Sequence, residues 1–284
     1  MSDNVGMTLK TKPPGIYLTI DDSPSPHTDE LVDFLSTHNI PAIFFVRGSE
    51  MENEESFAKI VRAIKHGFVI ANHSYAHERT SQIGFKSQTS QIAKTQTIID
   101  HAYDKAGLPK PPRYFRFPHL DRGCGTAWPI DFNTVPPDDR DFVQTLFWNG
   151  VRLETKAVPT VAEQGLKRDI QNWLKDNGFQ KFSPPDLTHR WWVESELSEA
   201  IDILITYSTS DWMLTPRHLG RWPYKNINDL YEKIKTDPFL TSAQSSHIVL
   251  MHDDREESLT ITKKLITYFI NQNFEFLKVT GATE

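Results

Sequence analysis

LTIDDSPSPH, residues 18–27, ends an apolar run on two adjacent aspartates and then breaks on prolines. Leu18, Thr19 and Ile20 have the composition of a strand end, and Pro24 and Pro26 stop the ladder from continuing. Side chains of neighbouring strand residues point to opposite faces, so Asp21 and Asp22 would ordinarily have unrelated surroundings. If the backbone turns at the strand end, both carboxylates can reach one cavity. By itself the pair is also consistent with an ordinary turn.

The segments that follow set the frame. From Thr28 to His38, Leu31, Phe34 and Leu35 recur at helical spacing, with Asp29 and Glu30 in the first turn, where the helix dipole favours acids. Asn39 closes this helix and Pro41 leads into AIFFV, a buried strand by length and composition. A second helix is predicted over residues 54–65, ended by Gly67, and FVIA follows as a third strand. Strands and helices alternating with short connections imply a parallel sheet. A helix over residues 89–106 comes next, then PKPP leading into RYFRF. The pattern breaks after Arg122. Residues 123–200 hold paired prolines, one helix pattern (161–177) and the aromatics Phe142, Phe147, Trp148, Trp173, Trp191 and Trp192. Strand patterning returns in IDILITYS (201–208) and HIVLMH (247–252), followed by a helix over 259–271 and a last strand, FEFLKV.

The chain has 284 residues, 38% of them hydrophobic, enough for one large domain or a domain with a long insertion. A net charge of −6 argues against non-specific nucleic-acid binding, which needs a basic surface. The single cysteine, Cys124, excludes an internal disulfide. It has no local base partner and reads as structural rather than nucleophilic. Residues 1–15 contain no apolar leader, and no stretch approaches the ~18 residues of a membrane span. A cytoplasmic protein is therefore expected, or an extracytoplasmic one if the sequence is truncated, and its oligomeric state is left open.

HSYAH, residues 73–77, follows the third strand and so lies at the same strand ends as the aspartates. His73 and His77, four apart, can meet on one helical or turn face. With one carboxylate they form a facial set suited to Zn²⁺ or another divalent ion. The pair alone would equally fit two ordinary histidines. Beside Asp21 and Asp22 it answers why two like charges adjoin. One aspartate could ligate a cation while its neighbour takes a proton from the water that the cation acidifies, with Arg116 offsetting the remaining charge.

The motifs TIDDS (19–23), HSYAH (73–77), RFP (116–118), DW (211–212) and LMH (250–252) resemble, in order and spacing, those of the polysaccharide deacetylase family (the NodB homology domain, carbohydrate esterase family 4). Residues 123–200 lie outside the resemblance. It implies an α/β fold, a distorted (β/α) barrel, forming one catalytic domain over residues 1–284 with a long insertion between the third and fourth motifs. It also implies metal-dependent removal of N-acetyl groups from an amino sugar in a polysaccharide, oligosaccharide or glycan precursor. Asp22, His73 and His77 would hold the metal, expected to be Zn²⁺, with Co²⁺, Ni²⁺, Mn²⁺ or Fe²⁺ as alternatives. Asp21 would be the general base, oriented by Arg116. His252 would be the general acid, held by Asp211. Pro118, His119, Trp212 and Leu250 would line the substrate pocket. Three positions depart from the pattern: Ser23 replaces a glycine, Ser208 an aspartate, and His119 an aromatic whose N–H helps bind the oxyanion. Removal of a formyl or other acyl group from a lipid-linked amino sugar, or carbohydrate binding without catalysis, are the alternatives. The insertion, anchored beside RFP, is expected to overhang the site as a lid, with Trp191, Trp192 or Arg190 approaching the sugar.

Overall fold

A computed structural model describes residues 15–148, 157–242, 244–253 and 256–279. Residues 1–14, nearly all of the segment read above as lacking a leader, lie outside them. The strands are β1 (Gly15–Ser23), β2 (Ala42–Val46), β3 (Val69–Asn72), β4 (Tyr207–Ser208), β5 (His247–His252) and β6 (Glu275–Phe276). The helices are α1 (Thr28–Thr37), α2 (Glu54–Lys65), α3 (Thr80–Ala106), α4 (Arg140–Trp148), α5 (Val161–Asp176), α6 (Arg190–Val193), α7 (Ile227–Thr236) and α8 (Glu256–Asn271). All strand pairs are parallel, in the order β3-β2-β1-β5-β4, and β6 pairs with the start of β1.

The sheet closes through two stretches with little regular pairing. The Asn72 N–H donates to the Tyr114 carbonyl and the Arg116 N–H to that of Asn72, at 2.9 and 3.0 Å. The Ile203 N–H then donates to Phe115 O (2.7 Å) and the Thr206 N–H to Ile248 O (3.0 Å), which returns the ring to β5. The result is a distorted barrel. Of the predicted strand 201–208, only Tyr207–Ser208 forms a ladder, and the residues before it close the barrel as extended chain.

Period-two alternation sorts β1 between two cores. Ile16, Leu18 and Ile20 face outward into a cluster with Leu31, Leu35 and Ile60 of the covering helices. Tyr17 faces the barrel interior with Ile43, Phe45, Ala71 and Ile248. α2 shows how local sequence sets a boundary. The Asn53 side chain accepts from the N–H groups of Glu55 and Ser56, acids fill the first turn and basic residues the last, and Gly67 turns the chain at φ 85°. α3 starts earlier than its apolar pattern indicates, at Thr80, and breaks at Gly84 (φ 73°, ψ −179°).

Of residues 123–200, those described (123–148 and 157–200) are folded. α5 matches its predicted span to within one residue and carries a capping box between Thr160 and Glu163. Trp191 and Trp192, anticipated near a sugar, are instead buried at 0% and 6% exposure in the interior cluster. The neighbouring His189 ring meets His247 at the first residue of β5, the end of the barrel away from the aspartates. Arg190 pairs with Asp138 and Asp139 of the insertion itself. Apolar area drew these rings into the core rather than onto a rim. Among the described residues no helix is long and apolar enough to cross a membrane.

Candidate metal and catalytic site

The two aspartates are brought together by a bulge. Asp21 pairs with Phe45 and Ser23 with Val46, so β1 holds one extra residue, Asp22, in the left-handed region at φ 72°. Asp21 faces inward by alternation with Tyr17 and Thr19. Asp22, which alternation alone would send outward, is turned back by the bulge to the same end of the barrel. The Ser23 hydroxyl donates to Asp253 Oδ2 at 3.0 Å, and Ser25 and Thr28 donate to the same carboxylate at 2.8 and 2.7 Å. The Asp253 N–H donates to Asp21 O (2.9 Å), so β5 clamps the bulge. A serine at position 23 thus has a partner built for its hydroxyl.

HSYAH is a turn, with Ser74 and His77 at φ 63° and 56°. The Asn72 side chain accepts from the Ser74 N–H, and Gln91 of α3 accepts from the Ala76 N–H and the Ser74 hydroxyl. His73 is fixed by a 2.9 Å hydrogen bond from Nδ1 to Arg116 O, which leaves its Nε2 lone pair facing the aspartates. His73 Nε2 lies 3.7 Å and His77 Nε2 3.1 Å from Asp22 Oδ1, yet that oxygen is buried with no hydrogen bond. Ligand atoms of Asp22, His73 and His77 all lie within 4.8 Å of one another. Burial lowers the pKa of His73 to about 4, and burial together with the charge of His73 holds His77 far below its usual range. Both rings are neutral at pH 7, the form that binds a metal. Convergent imidazole lone pairs on an unsatisfied carboxylate oxygen are a donor set that a divalent cation fits.

Asp21 is tied elsewhere. Its Oδ1 accepts from Arg116 Nη1 at 2.7 Å, and Arg116, fully buried, also donates to Thr19 Oγ1 and Ile203 O at 2.9 Å. The Phe45 ring lies 4.3 Å from the guanidinium. At the end of β5, His252 Nδ1 meets Asp211 Oδ1 at 2.9 Å, and the His252 N–H donates to Asp211 Oδ2 at 2.8 Å. Burial works against a charge on this imidazole. Asp211 outweighs it, with help from Asp22 and Asp21, and holds the pKa up at about 10. One cup therefore contains neutral histidines, a carboxylate held by arginine and a protonated histidine.

The pocket residues differ in their placement. Pro118 and Leu250 are buried and Trp212 is half-buried, its ring edge-on to both His218 and Trp222 at 5.1 Å. His119 is exposed at φ 56°; its Nε2 bonds to His77 O and its ring lies 4.4 Å from that of His77, but it is not among the three convergent ligands. Burial pushes the Cys124 thiol up to about 11, consistent with a structural cysteine. Sequence reasoning overlooked Thr19 and Asp253. Thr19 lies two residues before Asp21 on the same strand face and Asp253 follows His252 directly, so periodicity and adjacency could have found both.

Residues 8–126 match the family described as Polysaccharide deacetylase. A peptidoglycan-N-acetylglucosamine deacetylase of Bacillus cereus is 32% identical over 145 residues, 49% of this chain and 48% of that protein. A chitooligosaccharide deacetylase of Sinorhizobium fredii is 32% identical over 110 residues, 38% of this chain and 48% of the relative. The chain thus spans about half the length of these curated relatives. A solved polysaccharide deacetylase from Bacillus cereus superposes with a TM-score of 0.55 at 16% identity, covering 94% of this chain and 92% of that one, a likeness of fold. The family match covers residues 8–126, which carry TIDDS, HSYAH and RFP, while DW and LMH lie beyond it and reach the same end of the barrel.

Proposed function

We propose that the protein is a metal-dependent hydrolase that removes the N-acetyl group from an amino sugar within a glycan, giving free amine and acetate. The observation that carries this reading is the shared cup: a three-ligand set beside the Arg116-held Asp21 and the Asp211-held His252. Amide hydrolysis needs a base for the attacking water, stabilisation of the oxyanion and an acid for the departing nitrogen. Asp22, His73 and His77 would hold the ion, with Zn²⁺ favoured by two imidazoles and one carboxylate. A bound divalent ion would polarise the amide carbonyl and acidify a water. Asp21 takes the proton, its carboxylate kept in place by Arg116. His252, charged at neutral pH through Asp211, donates a proton to the leaving amine, without which C–N cleavage is slow. The backbone N–H of His119 would face the oxyanion, and Trp212 and Leu250 would wall the acetyl methyl. Release of primary amine from N-acetylglucosamine oligomers tests the reading. Activity abolished by chelation and restored by Zn²⁺ supports it; chelator-insensitive release, or none from any N-acylated sugar, refutes it.

A further inference from the structure

Ser208, where the family pattern carries an aspartate, opens onto a cation that the proposed reaction does not use. Lys233 projects from the last turn of α7 to the turn between β4 and Asp211. Its ammonium donates to the Ser208 carbonyl and, at 2.9 Å, to Ser210 Oγ. It lies 4.5 Å from the Tyr207 ring centre and 5.6 Å from that of Tyr224. Burial pulls its pKa down to about 7, with Asp237 and then Asp211 opposing. Holding a lysine here is costly unless its hydrogens are satisfied, and two of them converge on a single three-residue turn.

That turn is strained. Ser210 stands at φ 61°, a conformation that serine seldom adopts, and its N–H is held by the Ser208 hydroxyl at 3.2 Å. Thr209 anchors the other side, its N–H and hydroxyl both donating to Leu250 O. The next residue is Asp211, fully buried, with both carboxylate oxygens engaged by His252. The direction of the Asp211 side chain, and so the orientation of the His252 ring, follows from the backbone of Ser210.

We propose that Lys233 is a positioning residue for the acid half of the site: by pinning Ser208 O and Ser210 Oγ it sets the turn that aims Asp211 at His252. The inference rests on the proposed acid role of His252. The register of the turn is held from α7, by an ammonium on a main-chain carbonyl. α7 is suited to this task, because a capping box between Asn226 and Asp229 fixes its first turn and Leu230 and Ile234 anchor it in the core.

The test compares Lys233→Met, Lys233→Arg and Ser210→Ala with the parent protein, all zinc-loaded. The His252 imidazole is titrated by NMR, with His252→Gln assigning the signal, alongside kcat, KM and Tm. Lys233→Met should lower the His252 pKa by about one unit as Asp211 loses its aim. It should lower kcat about 10- to 100-fold with KM and metal content nearly unchanged, the effect of a small misplacement of a reacting group. Lys233→Arg keeps donors and should restore most of both. Ser210→Ala removes one acceptor and should give a smaller shift in the same direction, which serves if Lys233→Met does not fold. A fall in Tm with an unmoved His252 pKa would make Lys233 merely structural and overturn the proposal. A rise in that pKa would make it only a repelling charge and overturn it equally. If the parent protein deacetylates nothing, the proposed function fails while the NMR titration still decides the inference.

Discussion

Replacing Arg116 by methionine should be the most damaging single change at the site, for reasons of charge before catalysis. The guanidinium is fully buried; it bonds to Asp21 and Thr19 and, across the barrel, to the carbonyl of Ile203. Methionine fills a similar volume but leaves Asp21, 3% exposed, without its cation. Removing one partner of a buried ion pair costs about 3–5 kcal/mol. The abandoned Ile203 carbonyl, part of the seam that closes the barrel, adds about 1 kcal/mol or more. At roughly 2–4 °C per kcal/mol in a chain of this size, Tm should fall by roughly 10–20 °C. The measurement is urea and thermal unfolding of the chelated protein, so that no bound cation screens Asp21. The penalty is assigned to an unpaired carboxylate, so Asp21→Asn placed in the Arg116→Met background should recover stability instead of adding damage. A cost for Arg116→Met below about 1 kcal/mol, or losses that simply add in the double variant, would refute the reasoning.

Four further outcomes are expected. Asp21→Asn should keep the metal and lose about 10²–10⁴ in kcat, whereas Asp22→Asn should lose the metal; metal content by atomic absorption beside kinetics separates them. Asp211→Asn should move the alkaline limb of the kcat profile to lower pH, because Asp211 is what holds His252 charged up to about 10; an unchanged limb contradicts the pairing. Burial lowers the pKa of His189 to about 4 and that of His247 to about 3, below the unfolded value of 6.5. The unfolded chain therefore binds more protons, and stability present above about pH 6.5 should fall toward pH 4, by up to roughly 1.4 kcal/mol per pH unit for each histidine. His247→Gln should flatten that slope in acid unfolding curves, and identical slopes would exclude the pair as its source. Trp191→Ala should cost about 3–5 kcal/mol by denaturant unfolding and leave KM for short oligomers unchanged, since the ring fills the core away from the cup.

The sequence was most legible where chemistry and periodicity agree. Strands β1 to β3 and helices α1 and α2 follow directly from apolar spacing and from Asn39, Pro41 and Gly67, and the five motifs indicate which strand ends matter. The barrel seam was less legible. Residues 113–117 and 203–206 each contribute a few single hydrogen bonds to different neighbours, so they have the apolar content of strands without a ladder. The bulge at Asp22 is invisible to alternation, because inserting one residue changes which face a side chain takes without changing composition. Aromatic content in the insertion pointed equally to a sugar platform and to a core. For Trp191 and Trp192 burial prevailed, as it does for most large rings that can reach an apolar interior. The role of Lys233 could not be read at all, since nothing in NDLYEKIK separates a lysine that reaches a turn 23 residues earlier from one that faces water.

Backbone conformation links these observations to function. Among the described residues, non-glycine side chains with positive φ are Asp22, Ser74, His77, His119, Leu120 and Ser210, together with Asn39 and Asn273. The two asparagines follow helices, where asparagine tolerates the left-handed region at little cost. The other six lie in the motif loops, and each such residue costs on the order of 1–3 kcal/mol. A folded chain retains that strain only where neighbours over-determine the geometry, and they do so here: Asp253 for the bulge, Gln91 and Asn72 for HSYAH, Lys233 and Leu250 for Ser210. Relaxing Asp22, Ser74, His77 or Ser210 to ordinary strand or helix geometry would redirect a carboxylate or imidazole away from the cup. The strain therefore belongs to the site, and the hydrogen bonds that hold it are where substitutions should alter chemistry more than they alter the fold.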